Sequence, residues 1–209
     1  MIDGFFKTKI DRFWDQLARG LVVLRLSPNR VTAIGLFGLL ALCAYYAYAP
    51  FSPAIFGLSI AAFFAFDSLD GAVARLTNSS SKFGGYLDAI ADRYQEIAVF
   101  AALAYVHDCW PAVFLATSGS LMVSYAKART AIEIEIDNDK WPDLMERLER
   151  VVVLCLSLVL TSFISWPESW PVSFIAVVLY GMGLLTHITA FQRFFRARRL
   201  LLKSGDKES

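Results

Sequence analysis

Residues 53–75 read PAIFGLSIAAFFAFDSLDGAVAR, an apolar run from Ala54 to Phe66, relieved only by Gly57 and Ser59, that ends on two acids, Asp67 and Asp70. A helix crossing a hydrocarbon core of about 30 Å needs an apolar stretch of roughly this length. A charge inside such a stretch costs at least about 2.5 kcal/mol, so acids placed there point to function rather than packing. Asp67, Asp70, Gly71 and Ala74 stand at i, i+3, i+4 and i+7, which puts both carboxylates and two small residues on one helical face.

Outward from that face, Arg75 closes the run and a short connection bearing Asn78, Ser79, Ser80 and Ser81 leads to a second apolar stretch that opens with Gly84 and Gly85. Asp88 and Asp92 lie four apart on it and form a second acidic stripe. The connection is short enough to fold one helix back beside the other, so the two stripes are expected to face each other. Carboxylates converging in low dielectric protonate unless a cation neutralises them. Oxygen-only ligands favour Mg²⁺, Mn²⁺ or Ca²⁺ over zinc, and the implied chemistry is displacement at phosphorus. Gly71, Ala74, Gly84 and Gly85 leave room for a nucleotide or pyrophosphate against the backbone. The residues alone leave two other readings open: the acids pair with Arg75, Lys82 and Arg93 as structural ion pairs, or they line a cation or proton path in a transporter.

The rest of the chain has the same character. Of its 209 residues 56% are hydrophobic, and the mean hydropathy is +0.50, too apolar for a soluble domain. Apolar stretches near 31–49, 53–75, 84–106, 110–130, 149–165 and 170–192 predict an all-α, polytopic membrane protein with six transmembrane helices. Lys and Arg gather before the first stretch, in alternate connections and after Gln192, while the connections around Pro50, Asp108 and Trp166 carry none. Both termini are therefore expected on the cytoplasmic side of the cell membrane. Phe6, Ile10, Phe13, Trp14, Leu17 and Leu21 recur at helical spacing and predict an N-terminal amphipathic helix within residues 1–25, lying in the interface or packed on the protein's own inner face. The three cysteines have no ligand or disulfide spacing, and His107 and His187 stand alone. No cleavable signal segment is expected. Residues 1–203 read as one membrane domain followed by a polar tail, 204–209. A net charge of +1 gives no footprint for nucleic acid.

Taken together, Asp67-x-x-Asp70-Gly71-x-x-Ala74-Arg75, eight residues to Gly84, three to Asp88 and three to Asp92 resemble the signature of the CDP-alcohol phosphotransferase family at every position. A chance match in a chain of this size has a probability on the order of 10⁻⁸. The Pro28-Asn29-Arg30-Val31-Thr32 element is similar to the one that opens the first span in that family. The resemblance implies a metal-dependent transfer of a phosphatidyl-type group from a CDP-lipid to an alcohol, with release of CMP and with the active site on the cytoplasmic side. It implies that Asp67, Asp70, Asp88 and Asp92 bind two ions, Mg²⁺ or Mn²⁺, and that Asp92 is also the catalytic base. Thr32, Asp67, Gly71, Ala74, Arg75 and Gly84 would hold the CMP moiety. It further implies a homodimer.

For the acceptor, Ser124-Tyr125-Ala126-Lys127-Ala128-Arg129 and Glu146-Arg147-Leu148-Glu149-Arg150 resemble stretches of the prokaryotic phosphatidylinositol-phosphate synthases. That likeness makes Lys127, Arg147, Arg150 and Arg193 the candidates for holding an acceptor phosphate, with inositol phosphate as the acceptor and glycerol-3-phosphate as the alternative. The chain departs from those enzymes at Leu148, where proline is usual. It departs again in the acidic connection carrying Glu133, Glu135, Asp137, Asp139 and Asp143, where a glycine-bearing loop is usual.

Overall fold

The structure is a computed structural model that describes residues 14–134, 143–167 and 169–205. Among these residues every regular element is a helix, as the sequence predicts. After a helical segment at 14–23 come α1 (Pro28–Tyr48), α2 (Pro53–Asp67), α3 (Leu69–Leu76), α4 (Lys82–His107), α5 (Trp110–Glu133), α6 (Arg147–Leu160) and α7 (Phe174–Gly205). Three pieces are long and apolar enough to cross a bilayer: Pro28–Tyr48, Pro53–Leu76, which joins α2 to α3, and Phe174–Lys203. The helices α4 and α5, with 26 and 24 residues, match them in length. They are less apolar because α4 carries Asp88, Asp92, Arg93 and Glu96 and α5 carries Thr117, Ser118, Ser120 and Ser124. The α6 helix is 14 residues long. Large apolar side chains such as Phe37, Tyr48, Phe114, Leu184 and Phe191 point away from the protein, as lipid-facing residues do.

The chain divides into two compact units, residues up to 50 with 58–99, and residues 51–57 with 100–209. In the first, α1 packs against α3. Ala18, Val31, Leu69, Ala72 and Val73 form a small buried core, and Trp14, Leu21, Val22, Leu26 and Phe66 close over it. Residues 14–23 thus rest on α1 and α3 through one face, while Leu17 and Val23 are exposed. Phe6, Ile10 and Phe13, the earlier part of the predicted amphipathic helix, lie outside the described residues.

Two helix ends in this unit, that of the segment 14–23 and that of α3, are closed by one device. Arg25 and Asn78 adopt positive φ, 55° and 51°. In each case the following amide reaches back across the last turn, Leu26 N–H to Leu21 O at 3.1 Å and Ser79 N–H to Ala74 O at 3.0 Å. These are left-handed C-terminal closures, which satisfy the orphan carbonyls of the last turn. They set the direction of the Ser79–Ser81 stretch as it leaves α3.

The second unit is organised around α5 and α7, which run along each other closely, with α6 packed on α7. Glycines permit the approach. A Cβ on Gly119 would overlap Thr186 and lie 3.0 Å from His187 Cδ2, and one on Gly183 would lie 2.7 Å from Leu115 Cγ and 3.0 Å from the backbone nitrogen of Ala116. In lipid, where apolar surface gains little by leaving its solvent, such close van der Waals contact is the main attraction between helices. At 1.5 Å per residue the 32 residues of α7 measure about 48 Å, longer than a hydrocarbon core of about 30 Å. Its basic end, Arg193 to Lys203, therefore extends past any apolar span. Replacing Gly119 by Val should force the pair apart and cost about 1–3 kcal/mol, seen as a lower melting temperature in detergent. Gly20→Ala, at a glycine with nothing within 4 Å, should leave the melting temperature unchanged or raise it.

Candidate active site

Helix α2 stops at Asp67 and α3 starts at Leu69. Between them Ser68 keeps a helical φ and ψ, and both its amide and its hydroxyl donate to the carbonyl of Phe64, at 3.4 and 3.3 Å, so that the side chain shares the acceptor of a stretched i→i−4 bond. The junction falls between the two acids. Asp67, Asp70 and Asp88, the last from α4, each present a carboxylate oxygen such that all three atoms lie within 4.8 Å of one another. Asp67 is 2% exposed and the other two are half-buried. Like charges at that distance repel by about 3 kcal/mol or more per pair at an effective dielectric constant near 20. An oxygen-only donor set held together against that repulsion fits a hard divalent cation.

Asp92, the fourth predicted ligand, lies one turn beyond Asp88 on α4 and is not one of the three gathered within 4.8 Å. Its Oδ2 is 3.6 Å from Arg93 Nη2, and its Oδ1 is shielded from solvent. Arg93 also reaches Glu96 at 3.8 Å.

The carboxylates are oriented by neighbours. Thr32 Oγ1, on α1, donates to Asp70 Oδ2 at 2.5 Å, and the Gly71 amide donates to Asp70 Oδ1 at 2.5 Å. Gln95 Nε2 donates to Asp67 Oδ1 at 3.2 Å. Gly35 lets α1 run past Asp67, since a Cβ there would stand 3.3 Å from Asp67 Oδ1. Such partners fix a ligand's orientation and basicity. The sequence reading placed Thr32 in the nucleotide pocket without this hydrogen bond, and it missed Gln95 and Gly35. A signal for Gln95 was available: Asp88, Asp92 and Gln95 follow at spacings of four and three, a polar stripe on one face of α4.

Beside the acids opens a cavity of about 300 Å³. Thr32, Asp70, Gly71, Ala74, Arg75, Gly84 and Asp88 all line it, so the structure gathers the predicted nucleotide-pocket residues other than Asp67 around one space. Asn29 and Ser79 to Ser81 line it too and were not singled out as pocket residues from sequence. Ser81 Oγ accepts the Gly84 amide at 2.9 Å and so caps the start of α4. A Cβ on Gly84 would meet Ser81 Oγ at 3.1 Å and Asn29 Oδ1 at 3.3 Å, whereas one on Gly71 would meet only Arg75 Nη1, at 3.7 Å. Glycine at 84 is thus needed by the protein's own packing, while the space above Gly71 belongs to whatever enters the cavity. Arg75, 54% exposed at its side chain, is steadied by Asp15 at 3.4 Å.

In the second unit the structure holds the predicted acceptor residues differently. Arg150 is 2% exposed and donates from Nη1 to the carbonyl of Met145 at 2.9 Å. Arg193 is 4% exposed. It donates to Asp143 Oδ2 from Nε at 2.9 Å and from Nη2 at 2.5 Å, to Glu146 Oε1 at 3.2 Å, and to the carbonyl of Val123. Both guanidinium groups therefore hold the segment 143–146. Burial pushes the Glu146 carboxyl above the usual carboxylate range; Lys127 and Arg193 pull it down and Asp143 pushes it further up. Lys127 and Arg147 are half-buried. Of the acidic connection, Glu135, Asp137 and Asp139 lie outside the described residues.

Comparison with known proteins gives the arrangement its relatives. The family model described as CDP-alcohol phosphatidyltransferase matches residues 25–191. The archaetidylinositol phosphate synthase of Pyrococcus horikoshii is 29% identical over 197 residues, covering 93% of this chain and 96% of its own length. The crystal structure of Mycobacterium tuberculosis phosphatidylinositol phosphate synthase with CDP-DAG bound superposes with a TM-score of 0.74 at 28% identity, covering 89% of this chain and 94% of that one. The same enzyme in complex with manganese and citrate gives 0.73 at 27% identity, covering 88% of each chain. With the signature complete and six of its eight residues lining one cavity, the match over residues 25–191 identifies this membrane protein as a member of the CDP-alcohol phosphatidyltransferase family.

Proposed function

We propose that this chain transfers the phosphatidyl-type group of a CDP-lipid, CDP-diacylglycerol or an ether analogue, to inositol phosphate and releases CMP. The observation that carries the reading is the convergence of Asp67, Asp70 and Asp88 within 4.8 Å beside a cavity lined by Gly71, Ala74, Arg75 and Gly84. The donor set fits two Mg²⁺ or Mn²⁺ ions, held by Asp67, Asp70, Asp88 and Asp92. Bound there, divalent cations neutralise phosphate oxygens and the charge that develops on departing CMP. Thr32 and Gln95 keep two of the ligands aimed, and the wall from Gly71 to Gly84 receives the nucleotide. Asp92 takes the proton of the acceptor hydroxyl, whose oxygen attacks the lipid-side phosphorus as the bond from that phosphorus to CMP breaks. Its place one turn from Asp88, with one oxygen away from solvent, supports that role.

The acceptor phosphate is assigned to Lys127, Arg147, Arg150 and Arg193. The names of the relatives support inositol phosphate, and glycerol-3-phosphate serves the same chemistry. The layout that fits the alternation of basic connections has six spans, with α2 and α3 forming one of them, and both termini and the active site in the cytoplasm. The N-terminal helix lies at the inner interface, residues 1–203 act as one membrane domain, 204–209 form a tail, and the working unit is a homodimer.

Purified protein with Mg²⁺ and CDP-diacylglycerol should release CMP when offered inositol phosphate. Release with glycerol-3-phosphate, inositol, serine or choline in its place would reassign the acceptor, and release from none would remove the reading. Asp92→Asn should slow CMP release by about 10²–10⁴ with an unchanged melting temperature, and EDTA should stop the wild-type enzyme. Thr32→Val and Gln95→Leu should each raise the metal concentration needed for half-maximal rate by about 10–100-fold; unshifted metal titrations would show that these contacts do not tune the ligands.

A further inference from the structure

The Asp143 side chain is fully buried between two arginines. Its Oδ2 takes Arg193 Nε and Nη2, and its Oδ1 takes Arg196 Nη1 at 3.3 Å. A carboxylate bridging two guanidinium groups mimics a bound phosphate, which accepts the same fork of donors. We infer that Asp143 is a built-in anion that occupies the Arg193–Arg196 pair when no acceptor is bound, so that only an acceptor carrying a phosphate can displace it. The inference rests on the assignment of Arg193 to the acceptor and names the residue that decides which acceptors succeed.

Two observations give the exchange a route and a direction. Arg196 is 29% exposed at its side chain. With Gln192, Phe195 and Arg199 it lines an open recess, so an anion can meet Arg196 and the second cation Arg199 before reaching the buried Arg193. A phosphomonoester brings about −1.5 to −2 charges and three acceptor oxygens against the single charge of Asp143, and it outcompetes that carboxylate on the same donors. An uncharged alcohol has nothing to exchange and leaves Asp143 in place. Glu146, 43% exposed, meets Arg193 through one contact at 3.2 Å against the two that Asp143 makes, and so does not replace Asp143. Asp143 belongs to the acidic connection in which the sequence departs from the pattern expected of the phosphatidylinositol-phosphate synthases.

The test pairs kinetics with a binding readout that needs no turnover. Asp143→Asn removes the competitor: its KM for inositol phosphate should fall about three- to tenfold, because the competent fraction of the site rises, while its KM for the CDP-lipid stays put. Inorganic phosphate should raise the melting temperature of Asp143→Asn more than that of wild type, and Arg193→Gln should abolish the phosphate effect. An unchanged or higher KM in Asp143→Asn, with phosphate stabilising it no more than wild type, would reduce the pair to a structural clamp. Should Asp143→Asn fail to fold, wild-type amide exchange at residues 143–146 decides instead. Faster exchange in saturating inorganic phosphate is expected, and unaltered exchange overturns the inference. A wild type that releases no CMP with any acceptor, yet shows these phosphate effects, would refute the transferase reading and leave the anion exchange standing.

Discussion

Three carboxylate oxygens within 4.8 Å of one another, on helices rich in apolar residues, form an arrangement that opposes its own existence, and much of the N-terminal unit can be read as the means of holding it. Ser68 marks the junction of α2 and α3 between Asp67 and Asp70. Thr32 and the Gly71 amide each take one oxygen of Asp70, and Gln95 takes one of Asp67. Gly35 provides clearance for the Asp67 carboxylate. The left-handed closure at Asn78 turns the chain so that Ser81 can cap α4 and bring Asp88 back to the first two acids.

That device is local, which explains how much of it the sequence carries. Asp67, Asp70, Gly71, Ala74, Arg75, Gly84, Asp88 and Asp92 follow one another at spacings that helical geometry converts directly into faces. A single short connection is the only tertiary assumption needed to make the faces meet. The helices were legible for the same reason: long apolar runs bounded by Pro, Gly and basic clusters have few other solutions in lipid. Gln95 was overlooked because a neutral amide in an apolar helix draws less notice than an acid, although its spacing from Asp92 was informative. The hydrogen bond from Thr32 to Asp70 spans 38 residues and has no periodic signature. The packing role of Gly84 was hidden by its other role, as a wall against which a nucleotide fits.

Two arginines of similar apparent function end in opposite settings. Arg75 stands half in solvent, steadied by Asp15 from a helix that is itself pinned by Trp14, Ala18, Leu21 and Val22. An exposed pair of that kind contributes about 0–1 kcal/mol, so its use is to bias where the guanidinium points, not to hold the fold together. Arg193 is nearly buried, and Asp143 supplies the shorter of its two ion pairs, 2.5 Å against 3.2 Å to Glu146. The first arrangement costs little to rearrange when a nucleotide enters. The second is tied by several short contacts, so only an anion that replaces them can release it on the exchange proposed above.

This contrast also accounts for the uneven yield of sequence reasoning. The acids of the N-terminal unit stand at helical spacings that the sequence displays, although Thr32 and Gln95, which orient them, lie 38 and 28 residues away from the carboxylates they hold. The contacts around Arg193, proposed above for the acceptor, join residues 47 to 70 positions apart, Arg193 with Asp143, Glu146 and Val123. They can be rewired by a single acid in a connecting segment without disturbing a helix. A carboxylate at 143 changes no hydrophobic pattern, span or signature spacing, yet it takes up the guanidinium that a phosphate would need. The family signature is thus written in short-range periodicity, while the charge pairing around Arg193 is long-range and only the folded chain displays it.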